Sequence, residues 1–74
     1  MSKLPQVSGR EAVAAFEKFG YEFDRQRGSH MVLRHLKPPF RRLVIPDHKQ
    51  LAKGTLRALV RQAGISLEEF RAAL

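Results

Sequence analysis

The amino-acid sequence predicts a small α+β domain in which a three-stranded antiparallel sheet carries helices on one face. Segments with helical spacing of apolar residues lie near both ends of the 74-residue chain, and three short segments rich in strand-forming residues lie between them. The links between these segments are too short for parallel crossovers, so the strands are expected to be antiparallel. We expect one domain over residues 1–74.

The first helix is marked by a capping box. The Ser8 hydroxyl can accept a hydrogen bond from the Glu11 amide, and the Glu11 carboxylate can accept one from the Ser8 amide. Val13, Phe16 and Phe19 follow at helical spacing, and Gly20 suits the position just past a helix end. These features predict a helix over residues 9–19.

Three strands are predicted next, over residues 21–27, 30–36 and 40–45. In the first, Tyr21 and Phe23 alternate with acidic residues, which is typical of a strand with one buried face. Gly28-Ser29 provides the first turn, and Pro38-Pro39 ends the second strand.

Two helices close the chain. Apolar residues at helical spacing (Leu56, Leu59, Val60 and Ala63) predict a helix over residues 54–63, which Gly64 ends. Ser66-Leu67-Glu68-Glu69 forms a second capping box, which predicts a short terminal helix.

The composition indicates a polyanionic partner. The chain has 14 basic and 7 acidic residues and a net charge of +7, and most of its basic residues are arginines, which bind phosphate through two parallel hydrogen bonds. The absence of cysteine excludes disulfides, thiolate metal sites and cysteine nucleophiles. No apolar run is long enough to span a membrane, and residues 1–5 lack a signal-peptide core, so we expect a cytoplasmic protein.

The positions of the basic residues favour a phosphate-binding surface. A stripe at four-residue spacing lies on the second main helix, and a second group lies on the strands and their turns: Lys53, Arg57 and Arg61; Arg25, Arg27, Arg34, Arg41 and Arg42. A solvated helix face would carry interleaved acidic residues. Only Asp47 is acidic between Arg25 and Arg61, which favours binding of the RNA backbone.

His30 is the strongest candidate for a catalytic residue. It follows the Gly28-Ser29 turn, and strand alternation places it with Val32 and Arg34, on the face opposite Met31 and Leu33. Cleavage of RNA can use the substrate's own 2′-hydroxyl as the nucleophile. A histidine with nearby arginines can then supply the proton transfer and hold the phosphate without a metal ion.

The other polar residues near His30 are weaker candidates. Ser29 offers a hydroxyl beside it, and His48 is either a loop residue or a second proton-transfer group. Asp47 is too close in sequence to be a confident orienting carboxylate for His48. His35 is assigned no role. The chain lacks the clustered carboxylates of a two-metal nuclease, zinc-ligand spacing and a glycine-rich phosphate loop.

An ordered set of segments over nearly the whole chain resembles the HicA toxins. The segments are Phe19-Gly20-Tyr21, Arg27-Gly28-Ser29-His30, Val44-Ile45-Pro46-Asp47-His48, Gly54-Thr55-Leu56-Arg57, Gln62-Ala63-Gly64-Ile65-Ser66 and Glu68-Glu69-Phe70. The resemblance implies an α-β-β-β-α fold similar to double-stranded RNA-binding domains. It also implies messenger RNA interferase activity with His30 as the catalytic residue, and a cognate HicB antitoxin that binds and blocks the toxin.

Two other functions stay open. A non-catalytic RNA-binding module would bind RNA in a salt-dependent way without turnover. A protein-interaction module would use its basic face to bind an acidic partner. A DNA-binding helix-turn-helix is less favoured, because three strands precede the helix pair. For the leading hypothesis, we expect Arg25, Arg27 and Arg34 to hold the scissile phosphate, and Lys53, Arg57 and Arg61 to bind flanking backbone.

Overall fold

The computed structural model of the chain describes residues 5–74. The prediction that residues 1–5 hold no signal-peptide core therefore concerns residues that, except for residue 5, lie outside the described range. The elements are α1 (Gly9–Glu17), β1 (Tyr21–Arg27), β2 (His30–His35), β3 (Arg42–Pro46), α2 (Lys53–Ala63) and α3 (Leu67–Ala72). The strands form one antiparallel sheet in the order β1-β2-β3. The predicted α+β fold is confirmed. Within residues 5–74, no helix is long and apolar enough to cross a membrane.

Both capping boxes form as the sequence predicts. At the start of α1, the Glu11 amide donates to the Ser8 hydroxyl at 3.0 Å, and the Ser8 amide donates to the Glu11 carboxylate at 2.9 Å. The Glu69 and Ser66 amides make the equivalent bonds at 3.0 and 2.8 Å at the start of α3. These bonds satisfy backbone amides that have no partner inside the helix.

The helices pack against one face of the sheet. The buried side chains of β2 and β3 (Met31, Leu33, Leu43 and Ile45) pack against apolar side chains of the helices (Ala12, Phe16, Leu56, Leu59, Val60 and Phe70). The Phe16 and Phe70 rings lie 5.0 Å apart and join α1 to α3. Among residues 5–74, no helix lies over the opposite face, which carries His30 and whose side chains are mostly exposed, although Val32 is buried. Helices on one face are thus confirmed.

A β-bulge interrupts β1 at Asp24. Phe23 lies opposite Leu33, but the next residue opposite the partner strand is Arg25, which lies opposite Val32. Asp24 is the extra residue, and it reverses the alternation of everything that follows. Without the bulge, Arg25 and Arg27 would lie on the same face as Phe23; with it, they lie on the open face.

The start of α1 approaches the end of β3 closely. The Gly9 amide donates to the His48 carbonyl at 2.9 Å. A Cβ atom at Gly9 would overlap the Pro46 carbonyl oxygen. Only glycine therefore allows this contact, which fixes the end of β3 against the first turn of α1.

The connection between β2 and β3 differs from the prediction. Residues 40 and 41 were expected in the third strand, but β3 begins at Arg42. Phe40 has φ 58°, a left-handed conformation that a strand cannot contain and that non-glycine residues rarely adopt. The apolar side chain suggested a strand, whereas the backbone forms a turn that leaves the Phe40 ring 43% exposed.

The bulge predicts that deletion of Asp24 is tolerated. Removing the extra residue leaves a regular strand in which Arg25 still lies opposite Val32, so we expect a loss of about 1 kcal/mol or less in the free energy of unfolding. Deletion of Glu22 from the same strand would move Tyr21 or Phe23 off the inner face, with a loss of about 3 kcal/mol. Urea denaturation measures both, and equal losses would contradict the assignment of Asp24 as the extra residue.

Candidate functional site

A shallow groove on the open face of the sheet surrounds His30. Its volume is about 380 Å³, and all three strands contribute the side chains that line it: Arg25, Arg27, His30, Val32, Arg42 and Val44. No lining residue is acidic, whereas three are arginines. The groove is therefore electropositive and suits an anionic group.

Strand register brings these residues together. His30 lies between Arg27 of β1 and Pro46 of β3, and Val32 lies between Arg25 and Val44. The two valines form an apolar floor, although Val44 is 51% exposed. The arginines stand on either side of this floor, so a bound phosphate would meet cations from both edge strands.

The turn that presents His30 is held by one bond from within the β1–β2 hairpin and one from outside it. Gly28 has φ 58°, which the turn requires and glycine adopts without strain. The Asp47 amide donates to the Ser29 carbonyl at 2.7 Å, and the Gln26 side-chain amide donates to the Gly28 carbonyl at 3.1 Å. These bonds fix both carbonyls of the turn immediately before His30.

The Asp47 carboxylate connects three elements at this point. It accepts hydrogen bonds from the Arg10 guanidinium at 3.1 and 3.2 Å and from the Gln26 side chain at 3.1 Å. The bond from Arg10, followed by the bond from Gln26, holds the pKa of the Asp47 carboxyl below its ordinary value. Asp47 thereby connects the first turn of α1, the end of β1 and the end of β3. Its carboxylate is hydrogen-bonded to Arg10 and Gln26 and does not orient the His48 ring.

The family can be assigned at this point. Residues 9–65 match the HicA toxins of bacterial toxin–antitoxin systems, and this range includes every strand and the whole groove. The chain belongs to the HicA toxin family. A toxin of such a system has an antitoxin as its partner. No curated protein matches the chain.

The structure of this HicA-family chain separates the predicted RNA-binding residues into three places. Arg25 and Arg27 line the groove with His30. Arg34 lies on the same face but farther along β2, where its guanidinium carbon is 5.1 Å from the centre of the Phe40 ring. The exposed basic residues of α2 do not line the groove: Lys53, Arg57 and Arg61. Arg25 also contacts Asp24 at 3.4 Å, with both side chains exposed.

Neither auxiliary candidate lines the groove. Ser29 is exposed in the turn and precedes His30 in the chain. His48 is exposed beyond the end of β3. The structure therefore brings neither side chain into the groove beside His30.

His35 has a structural position. Its Nε2 lies 2.9 Å from the Phe19 carbonyl, and its Nδ1 accepts a hydrogen bond from the Lys37 amide at 3.0 Å. Because Nδ1 accepts, the proton is on Nε2, which donates to Phe19. Nε2 thus joins β2 to the segment that follows α1, and Nδ1 joins it to the segment that follows β2, which agrees with assigning His35 no role in chemistry.

Sequence reasoning missed Arg42 and the valine floor as part of the site. Arg42 was recognised only as one of several basic strand residues. The pairing of Arg34 with Arg42 and of Val32 with Val44 places them on the face of His30. The alternation of β3 around its buried Leu43 and Ile45 could have indicated this. Among residues 5–74, no group of three or more histidine, aspartate or glutamate side chains is arranged to hold a metal ion.

Substitution of Asp47 by asparagine is predicted to destabilise the fold in a pH-dependent way. Since the folded-state pKa of Asp47 is lowered, its stabilisation is fully present above the carboxyl's unfolded-state pKa and is lost as the pH falls through the folded-state value. Thermal denaturation should therefore show a modestly lower melting temperature for the variant than for the wild type at pH 7, and this difference should disappear in acid. Asp24→Asn is the control, because the ion pair of Asp24 is with its sequence neighbour Arg25 and joins no separate elements. An equal, pH-independent effect of both variants would refute the connecting role of Asp47.

Proposed function

We propose that this toxin is a metal-independent endoribonuclease that cleaves messenger RNA in the cytoplasm and is inhibited by a HicB-type antitoxin. One observation carries the proposal: an exposed histidine lies at one end of a groove lined by arginines from both edge strands, in a chain of the HicA family. These residue types supply the proton transfer and the charge stabilisation that phosphodiester cleavage needs.

In the proposed reaction, the substrate provides the nucleophile. The imidazole of His30 removes the proton of a 2′-hydroxyl, whose oxygen attacks the adjacent phosphorus. The bond from phosphorus to the 5′-oxygen breaks, and that oxygen takes up a proton from water, while the protonated His30 gives its proton to the hydroxide that remains. The products are a 2′,3′-cyclic phosphate and a 5′-hydroxyl end, so no metal-bound water is required.

The arginines of the groove stabilise the phosphate as negative charge accumulates on it. Arg27 lies directly opposite His30 in the register, and Arg25 and Arg42 line the groove on either side of the valine floor. Guanidinium groups bind two phosphate oxygens at once, which also orients the phosphate for attack. Lys53, Arg57 and Arg61 are assigned to flanking RNA backbone, outside the groove.

The same basic groove suits inhibition by an acidic antitoxin surface. A partner that covers the open face of the sheet would pair its carboxylates with the arginines and exclude RNA at the same time. The antitoxin and RNA would then compete for one surface of the toxin.

Replacement of His30 by alanine tests the catalytic assignment. Purified protein is incubated with labelled RNA in EDTA, and we expect cleavage that gives cyclic-phosphate ends. Loss of general acid–base catalysis should lower the rate by about 100-fold or more, while RNA affinity and the circular dichroism spectrum are retained. His48→Ala is the matched control. Its cleavage rate is expected to fall less than that of His30→Ala, because His48 lies outside the groove.

Three outcomes would contradict parts of this proposal. Equal cleavage by wild type and His30→Ala would refute the catalytic role of His30. Salt-dependent RNA binding without any cleavage would favour the non-catalytic RNA-binding module instead. A loss in His48→Ala as large as in His30→Ala would show that both histidines transfer protons.

Arg42 and Arg57 are predicted to have different effects. Arg42→Gln removes a cation from the groove and should lower the single-turnover cleavage rate by about 100-fold, as expected for a group that stabilises the transition state. Arg57→Gln should mainly weaken RNA binding and reduce the slope of log affinity against log salt by about 1. If the two variants had the same effect on rate and on affinity, the groove would not be the site of cleavage.

A further inference from the structure

A second cavity lies at the other end of the open sheet face. It has a volume of about 220 Å³ and is lined by Glu22, Asp24, Arg34, His35, Leu36 and Phe40. Unlike the groove around His30, it contains two carboxylates and an exposed aromatic ring. A phosphate is disfavoured beside two carboxylates, so this cavity suits a different part of a nucleic acid.

The Phe40 ring is presented to solvent. It is 43% exposed, and its backbone has φ 58°, a conformation that is strained for a non-glycine residue. The Arg34 guanidinium lies over the ring at 5.1 Å. This arrangement gives a flat aromatic surface next to a stacked cation, which is how proteins hold unpaired bases.

The carboxylates discriminate between guanine and uracil. Glu22 lies opposite Arg34 in the register, and Asp24, the bulge residue, lines the same cavity. A carboxylate accepts hydrogen bonds only. Guanine presents two adjacent N–H donors on its Watson–Crick edge, which match two carboxylate oxygens. Uracil presents one N–H between two carbonyl oxygens, which a carboxylate repels.

We propose that this cavity binds an unpaired base of single-stranded RNA, with Phe40 as the stacking surface and Glu22 as the acceptor that favours guanine over uracil. Arg34 lies four residues from His30 along β2, about 13 Å at the rise of a strand. The base therefore belongs to a nucleotide that flanks the cleaved one. The inference rests on the proposed RNA cleavage and adds a sequence preference to it.

Affinity for uncleavable RNA tests the inference separately from catalysis. The probes are short uridine oligomers, with and without a single guanosine, in which 2′-fluoro groups replace the attacking hydroxyls. Fluorescence anisotropy should show wild-type protein binding the guanosine oligomer about tenfold more tightly. Glu22→Gln should bring the ratio of the two affinities close to one, because the amide no longer offers two acceptor oxygens.

Two phenylalanines of similar exposure provide a matched pair of variants. Phe40→Leu should lower affinity for the guanosine oligomer about tenfold. Phe23→Leu should change it less than twofold, because Phe23 is 41% exposed but lies on the opposite face, in register with Leu33. Phe40→Gly removes the ring and also the backbone strain, so it should bind as weakly as Phe40→Leu with an undiminished melting temperature.

The outcomes separate this inference from the proposed function. RNA cleavage that depends on His30, combined with wild-type affinity in both Phe40 variants, would overturn the base-binding cavity alone. An absence of guanosine preference in the wild type would do the same. Failure of the wild-type protein to bind either oligomer would overturn both proposals.

Discussion

The single extra residue in β1 is the constraint on which the site depends. The first part of the strand must direct Tyr21 into the core, where it is 3% exposed. The last part must direct Arg25 and Arg27 to the opposite face, beside His30. Tyr21, Arg25 and Arg27 are all odd-numbered. Because side chains alternate strictly along a regular strand, such a strand would place all three on the same face. The bulge at Asp24 resolves the conflict, and it also turns Gln26 towards Asp47.

Asp47 complements the bulge by fixing the turn before His30. A two-residue turn at the end of a hairpin would otherwise be among the more mobile parts of so small a protein. Here its carbonyls are held by Gln26 and by the Asp47 amide, while the Asp47 carboxylate is held by Arg10. His30 is therefore exposed to solvent, yet the turn before it is attached through Asp47 to both α1 and the end of β3. This rigidity is what a surface site needs in place of an enclosed cavity.

The sequence predicted those features that depend on neighbouring residues. The capping boxes at Ser8 and Ser66 form as expected, since each involves only four consecutive residues. The faces of β2 followed from simple alternation. The bulge did not, because an uninterrupted alternation fits β1 equally well until its pairing with β2 is known. Phe40 was misplaced for a similar reason: a strand-forming side chain gave no sign of a positive φ.

The two ends of the open face differ in charge, and this difference affects how a chain of nucleotides could lie on it. Arginines surround His30 at one end, whereas Glu22, Asp24 and Phe40 lie at the other. A polyanion bound with its phosphates at the first end can place a base, but not a phosphate, at the second. The two ends therefore favour one orientation of a single strand over its reverse. In the proposed function, orientation and sequence preference would therefore both come from side chains on one exposed sheet face.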